Sequence, residues 1–117
     1  MRTLGAVVIA LILSGIADAA ETVGLPAEVA AFLERRESCD HWRGERGYDK
    51  ERQADIDWAM CQACPGTDAQ LARLKKKYAA DKAVMQKLSE IEPKIEPEDK
   101  TAAQGFCSKT RKSKWQE

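Results

Sequence analysis

Four stretches of this chain repeat an apolar side chain every three or four residues, and one earlier stretch is an apolar run broken only by small residues. The first periodic stretch follows Leu25-Pro26. Val29, Phe32, Arg36, Cys39 and Arg43 fall on one stripe, with Leu25, Leu33 and Trp42 beside it. This spacing predicts an amphipathic helix over 26–43, with the stem of Arg36 laid along the apolar face. Proline suits a first helical turn because its missing N–H has no partner there, and Gly44 suits the end. Asp49 then fits an N-cap for a second helix running to about Ala63. Its apolar positions, Ala54, Ile56, Trp58, Ala59, Met60, Cys61 and Ala63, make a broad stripe, with Asp55 and Asp57 in the gaps. Pro65-Gly66 ends it, since proline cannot continue a helix and disfavours helical geometry before itself.

Thr67 followed by Gln70 reads as a capping box. The third helix places Leu71, Leu74 and Tyr78 on one face and Lys75, Lys76 and Lys77 mostly on the other. Asp81 breaks and recaps the chain. Val84, Met85, Leu88 and Ile91 mark a fourth helix, closed by Pro93 and Pro97. Residues 96–105 read as loop or a weak helical turn, with Phe106 and Cys107 docking the tail. The pattern contains no convincing strand and no internal repeat. The predicted architecture is all-α: a small bundle of about four helices over residues 21–107, cross-linked by disulfides, then a basic, flexible tail over 108–117.

The earlier stretch, Leu4 to Ile16, is an apolar run broken only by small residues; it comes after Met1-Arg2 and precedes Ala17-Asp18-Ala19. A basic start, a short apolar run and a small-x-small site are the parts of a secretory signal peptide, read here over residues 1–20. An uncleaved membrane anchor is the competing reading, and the run is shorter than the ~20 apolar residues a spanning helix needs. The expected location is periplasmic or secreted, with no stable membrane insertion once the leader is removed.

Charge narrows the function classes. Lys plus Arg and Asp plus Glu both number 19. A neutral chain lacks the electrostatic surplus of a general nucleic-acid binder, so no nucleic acid is expected as partner. The charge is nonetheless uneven: residues 21–60 are acidic, while 68–89 and the residues from Thr101 onward are basic. Lys75–Lys77, together with Lys112 and Lys114, could meet an anionic wall polymer or membrane surface; a solvated face is the blander reading.

The chain has 117 residues and four cysteines: Cys39, Cys61, Cys64 and Cys107. A domain this small buries a limited core, and in an exported chain cysteines are the natural staples. A Cys61–Cys64 link would close almost no loop. The two remaining pairings tie helix and tail to the end of the second helix. Cys39–Cys64 with Cys61–Cys107 is favoured, with the swap open. A redox Cys-x-x-Cys is the first rival. It wants a helix N-terminus, whereas this pair precedes proline at a helix C-terminus. A zinc site from Cys39, His41, Cys61 and Cys64 is the second, although Cys39 and His41 diverge on a helix. Haem attachment needs histidine after the second cysteine, and residue 65 is proline.

Asp40-His41-Trp42-Arg43-Gly44-Glu45 gathers polar, ionisable and aromatic groups at one helix end. As a binding patch, Asp40, His41, Trp42, Arg43 and Glu45 would offer Trp42 as anchor and Arg43 as a clamp for a carboxylate or phosphate. As structure, Trp42 would pack inward while Arg43 and Asp40 bridge to other helices. Ser-His-Asp spacing, a glycine-rich phosphate loop and a metalloprotease helix do not occur. No catalytic residue, metal or cofactor is assigned.

Phe32 to Glu45, then Cys64-Pro65-Gly66-Thr67-Asp68 and Leu71 to Tyr78, resemble a group of small exported proteobacterial proteins of unknown function. That resemblance covers about residues 28–92 and brings no activity with it. A fainter one, carried by a cysteine ahead of a helix with Leu71, Leu74 and Tyr78, is to the LprI-type lysozyme inhibitors. The expected function is non-enzymatic: binding or scaffolding in the bacterial cell envelope, the partner being an envelope protein or cell-wall component. Inhibition of a cell-wall lytic enzyme is the alternative the second resemblance implies. A thiol-redox or zinc protein using Cys39, His41, Cys61 and Cys64 is the alternative from another class.

Overall fold

A computed structural model describes residues 24–112. The expected leader over 1–20 and the last five residues lie outside the described residues. Among the described residues there are five helices and no strand: α1 Ala27–Arg43, α2 Lys50–Ala63, α3 Thr67–Lys77, α4 Lys82–Ser89 and α5 Lys100–Ser108. The first four agree closely with the hydrophobic periodicity. α5 corrects the expectation of a loop or weak turn there. Asp99 caps it, accepting the Ala102 N–H at 2.9 Å.

Local chemistry sets most of the boundaries. Pro26 stands at the N-cap of α1, and its carbonyl accepts the N–H groups of Val29 and Ala30. Asp49 caps α2 through the Arg52 N–H, and Asp81 caps α4 through the Val84 N–H. These carboxylates satisfy N–H groups that have no partner within the helix. The capping box expected at Thr67 does not form. Gly66 is the N-cap, in the left-handed region at φ +83°, where a side chain would be strained. Thr67 is already helical and buried, and its hydroxyl donates back to the Cys64 carbonyl at 2.7 Å.

The apolar core joins three helices. Val29 and Phe32 of α1 meet Leu71 and Leu74 of α3 and Val84 and Leu88 of α4, with Leu25, Leu33, Tyr78, Met85 and Ile91 packed around them. α2 lies against α1 and buries Ile56, Ala59 and Ala63. It also buries Asp55, which the periodicity assigns to a polar gap. Apolar residues surround α2 on nearly every side, so the pattern does not select its inward face.

One buried ionic cluster ties these layers together. Arg36 is fully buried, and its guanidinium Nη2 donates to the Glu92 carbonyl at 2.5 Å. The same nitrogen lies 3.5 Å from Asp68 Oδ1, and Nε lies 3.7 Å from Asp40 Oδ1. Asp68 in turn accepts the Ile95 and Glu96 N–H groups at 3.0–3.1 Å, while its own N–H donates to Glu96 Oε1 at 2.9 Å. Helix α1, the first turn of α3 and the segment after α4 therefore meet at two side chains.

Two disulfides complete the frame. Cys39 is bonded to Cys64, 25 residues on, and Cys61 to Cys107, 46 residues on. The first joins α1 to the end of α2. The second holds α5, which buries no residue of its own, against α2. Phe106, expected to dock this region, is 50% exposed, so the attachment is made by the sulfur and not by the ring.

Replacing Cys61 and Cys107 together by serine should release α5. Hydrogen exchange in Lys100–Ser108 should become fast while α1, α3 and α4 keep their protection. The Cys39→Ser, Cys64→Ser pair should instead lower the stability of the whole bundle, by about 3 kcal/mol for a loop of this size on the chain-entropy view. Asp68→Ala strands a buried guanidinium and should cost about 3–5 kcal/mol in urea unfolding. Arg36→Met should cost less, because Arg36 Nε and Nη1 make no hydrogen bond in the native state. Equal losses in the two variants would count against this account of the cluster.

Candidate functional site

The Asp40–Glu45 cluster divides into three faces. Asp40 and Arg43 belong to the frame. Arg43 Nε donates to Asp40 Oδ1 at 2.9 Å, and its Nη2 to Glu92 Oε2 at 2.8 Å. Glu92, then Asp40, stabilises the charged guanidinium and pushes the Arg43 pKa up. Arg43 thus clamps the end of α1 to the segment after α4, so its fork is already occupied by two carboxylates. His41 is 59% exposed; its Nε2 lies 3.7 Å from Glu45 Oε1, an ion pair only when the imidazole is protonated.

Trp42 faces elsewhere. Ala31, Arg35, Ser38 and Trp42 recur at helical spacing on α1, and Trp58, Ala59, Gln62 and Ala63 do so on α2. Together with Glu34 they line an open groove of about 600 Å³ between the two helices. The alanines leave room where the helices meet, and the two half-buried indoles stand as walls. Trp42 is held from outside by the His41 ring, edge-on at 5.0 Å, and by the Arg52 guanidinium, 5.4 Å from its ring centre. Lys112 Nζ stands 5.6 Å from the Trp58 ring centre. Arg35 at the rim is engaged: it donates to the Pro65 carbonyl and, at 3.4 Å, to Gln70 Oε1.

Trp58 is the site residue that the sequence alone does not single out. Its indole reads there as part of the apolar stripe of α2. The available signal is spacing, since Trp58 and Gln62 share one side of α2 just as Ser38 and Trp42 share one side of α1.

The other expected surfaces resolve differently. The cysteine set considered for zinc or redox work is consumed by disulfides, and no described cysteine is free. Among the described residues no group of three or more His, Cys, Asp or Glu side chains is placed to hold a metal ion. The basic face of α3 is partly neutralised: Glu28 accepts from Lys77 Nζ and from the Tyr78 hydroxyl, and Arg73 lies 3.7 Å away. The Lys77 ammonium, then the Tyr78 hydroxyl, holds the Glu28 carboxyl below its ordinary 4.5. Glu28 in return raises the pKa of both Lys77 and Tyr78. Lys112 is committed to Trp58 rather than to the Lys75–Lys77 face.

No protein-family model matches this chain, and no curated protein or solved structure matches it either. Paired cysteines suit an oxidising, extracytoplasmic environment. Among the described residues no helix is long and apolar enough to cross a membrane.

The Glu28 contact has a defined pH signature. A depressed carboxyl contributes stability above its unfolded value, and that contribution is lost as pH falls through the lower folded value. The melting-temperature advantage of the native chain over Glu28→Gln should therefore hold from neutral pH down to about 4.5, the carboxyl's ordinary value. It should vanish in stronger acid. An advantage unchanged in strong acid would mean that the carboxylate charge contributes nothing. For Tyr78 the sign reverses: its contribution is present below the ordinary 10.0 and is lost as pH rises through the higher folded value.

Proposed function

We propose that this is a non-enzymatic binding protein of the bacterial cell envelope, exported to the periplasm or secreted, and that its contact face is the groove between α1 and α2. The observation carrying this reading is the pair of tryptophans, Trp42 and Trp58, held half-buried on either side of about 600 Å³ of open space. In a chain this small, indoles are the natural material for the core. Here the core is built from Val29, Phe32, Leu71, Leu74, Val84 and Leu88, and the two indoles stand outside it. Partly exposed tryptophans flanking a pocket are the side chains that carry binding energy at protein interfaces. The partner that fits is an envelope protein presenting an apolar or aromatic side chain. A cell-wall lytic enzyme is the partner implied by the likeness to lysozyme inhibitors.

Binding to an envelope extract, followed by mass spectrometry, tests the reading when wild type is compared with Trp42→Ala, Trp58→Ala and the distant Lys76→Ala. One partner should be retained by wild type and Lys76→Ala and weakened at least tenfold by either tryptophan variant, the order of 2 kcal/mol that such anchors contribute. Retention by all four chains overturns the groove as the contact face. Co-sedimentation with purified peptidoglycan, lost in the tryptophan variants, would replace the protein partner with a wall polymer. Lysozyme activity unchanged at micromolar excess of the protein would remove the lytic enzyme as partner.

A further inference from the structure

We propose that the Cys61–Cys107 bond is a redox-released strap: a dithiol reductant opens it ahead of Cys39–Cys64, detaches α5 from α2 and withdraws Lys112 from Trp58 in the groove wall. The two sulfur links stand in different surroundings. Cys39 is fully buried, whereas Cys61 and Cys107 are both partly exposed. α5 buries none of its residues, and Phe106, next to the sulfur, lies open to solvent. Its polar contacts are local. The Ala102 N–H donates to Asp99, Lys100 approaches Glu96, the Ser108 hydroxyl donates to the Gly105 carbonyl, and Arg111 donates to the Ser108 and Thr110 carbonyls. The sulfur bond crosses to α2, and so does the Lys112 ammonium, 5.6 Å from the centre of the Trp58 ring.

How readily a disulfide opens depends on how closely the protein holds the two thiols once they are free. Cys39 and Cys64 stay face to face without their bond. Arg35, one turn before Cys39, donates to the Pro65 carbonyl. The Thr67 hydroxyl holds the Cys64 carbonyl at 2.7 Å, and Arg36 pairs with Asp68 just beyond. Thiols held in this way have a high effective concentration, which favours the closed bond. Cys107 differs. Once free, it is tethered to the bundle through Glu96, whose N–H is held by Asp68. The chain between is a helix with no buried face. Its thiol is then presented to Cys61 only as a loose linker presents it, so this bond yields to a weaker reductant.

The exchange balances with the dithiol alone. One of its thiolates attacks a strap sulfur, and the electron pair of the broken S–S bond leaves on the other cysteine. The second thiolate then attacks the mixed disulfide, releases the remaining cysteine and closes the reductant's own disulfide. Two electrons and two protons end on Cys61 and Cys107. Control of a partner by the strap rests on the groove being the contact face; the opening itself does not, and it is read with no partner present.

Equilibration of the full chain in graded mixtures of reduced and oxidised dithiothreitol, followed by acid quench, alkylation and peptide mass spectrometry, tests the proposal. Cys61 and Cys107 should be alkylated first. When they are half open, Cys39–Cys64 should remain closed in about nine chains in ten, roughly a tenfold difference in the opening equilibrium. In the two-thiol chain, hydrogen exchange in Lys100–Ser108 should be fast while α1, α3 and α4 stay protected. With 5-fluorotryptophan in place, the fluorine resonance of Trp58, assigned through Trp58→Phe, should shift. The Cys61→Ser, Cys107→Ser chain should show the same shift without reductant, and oxidised dithiothreitol should reverse it in the native chain. Opening of Cys39–Cys64 first, or of both bonds together, overturns the proposal. So does a two-thiol chain in which α5 stays protected or the Trp58 resonance stays in place. Partner retention by the tryptophan variants would overturn the groove reading and leave all of these readouts unchanged.

Discussion

A buried guanidinium is the constraint on which this fold turns. Arg36 sits on the apolar stripe of α1, in line with the buried Val29, Phe32 and Cys39. A charge there is tolerable only when opposite charge and hydrogen-bond acceptors come to meet it. They come from two distant parts of the chain: Asp68 at the start of α3 and the Glu92 carbonyl after α4. Asp68 then has oxygens left over, which take the N–H groups of Ile95 and Glu96. The segment after α4 has no helix to satisfy its backbone, so Asp68 supplies the acceptors. The apolar core fixes which faces of α1, α3 and α4 meet; the ionic cluster fixes how they are registered.

Much of this is legible in the residues. The stripe Val29, Phe32, Arg36, Cys39 predicts the inward face of α1 because it is a single narrow row. Asp49 and Asp81 can be read as caps because a carboxylate before a helical pattern has one local task. The role of Asp68 cannot be read, since its partners lie 27 and 28 residues away and nothing local distinguishes it from a helix-capping carboxylate. α5 escapes for the opposite reason. It buries nothing, so periodicity has no face to report, and a covalent bond with one capping aspartate holds it in place.

The candidate site is legible in part. Asp40 to Glu45 reads as one patch, and the backbone does place it at one helix end. Successive residues on a helix point about 100° apart, however, so a run contiguous in sequence is distributed around the axis. Asp40 and Arg43 go to the frame, Trp42 to the groove, and His41 with Glu45 to the surface. The groove itself needs α2 to be laid beside α1, a long-range fact that becomes visible only once Cys39 is tied to Cys64.

The order of the sulfur links bears on how the protein reaches this state. Numbered along the chain, the first cysteine joins the third and the second joins the fourth, so the two loops overlap. Pairing of thiols in chain order would make Cys39–Cys61 first, and that bond is absent from the finished protein. Correcting it requires a thiolate to attack the mistaken bond and reshuffle it, the reaction that isomerases catalyse. Oxidative refolding of this small bundle therefore has to bypass or undo neighbour-to-neighbour pairing before the native sulfur links are complete.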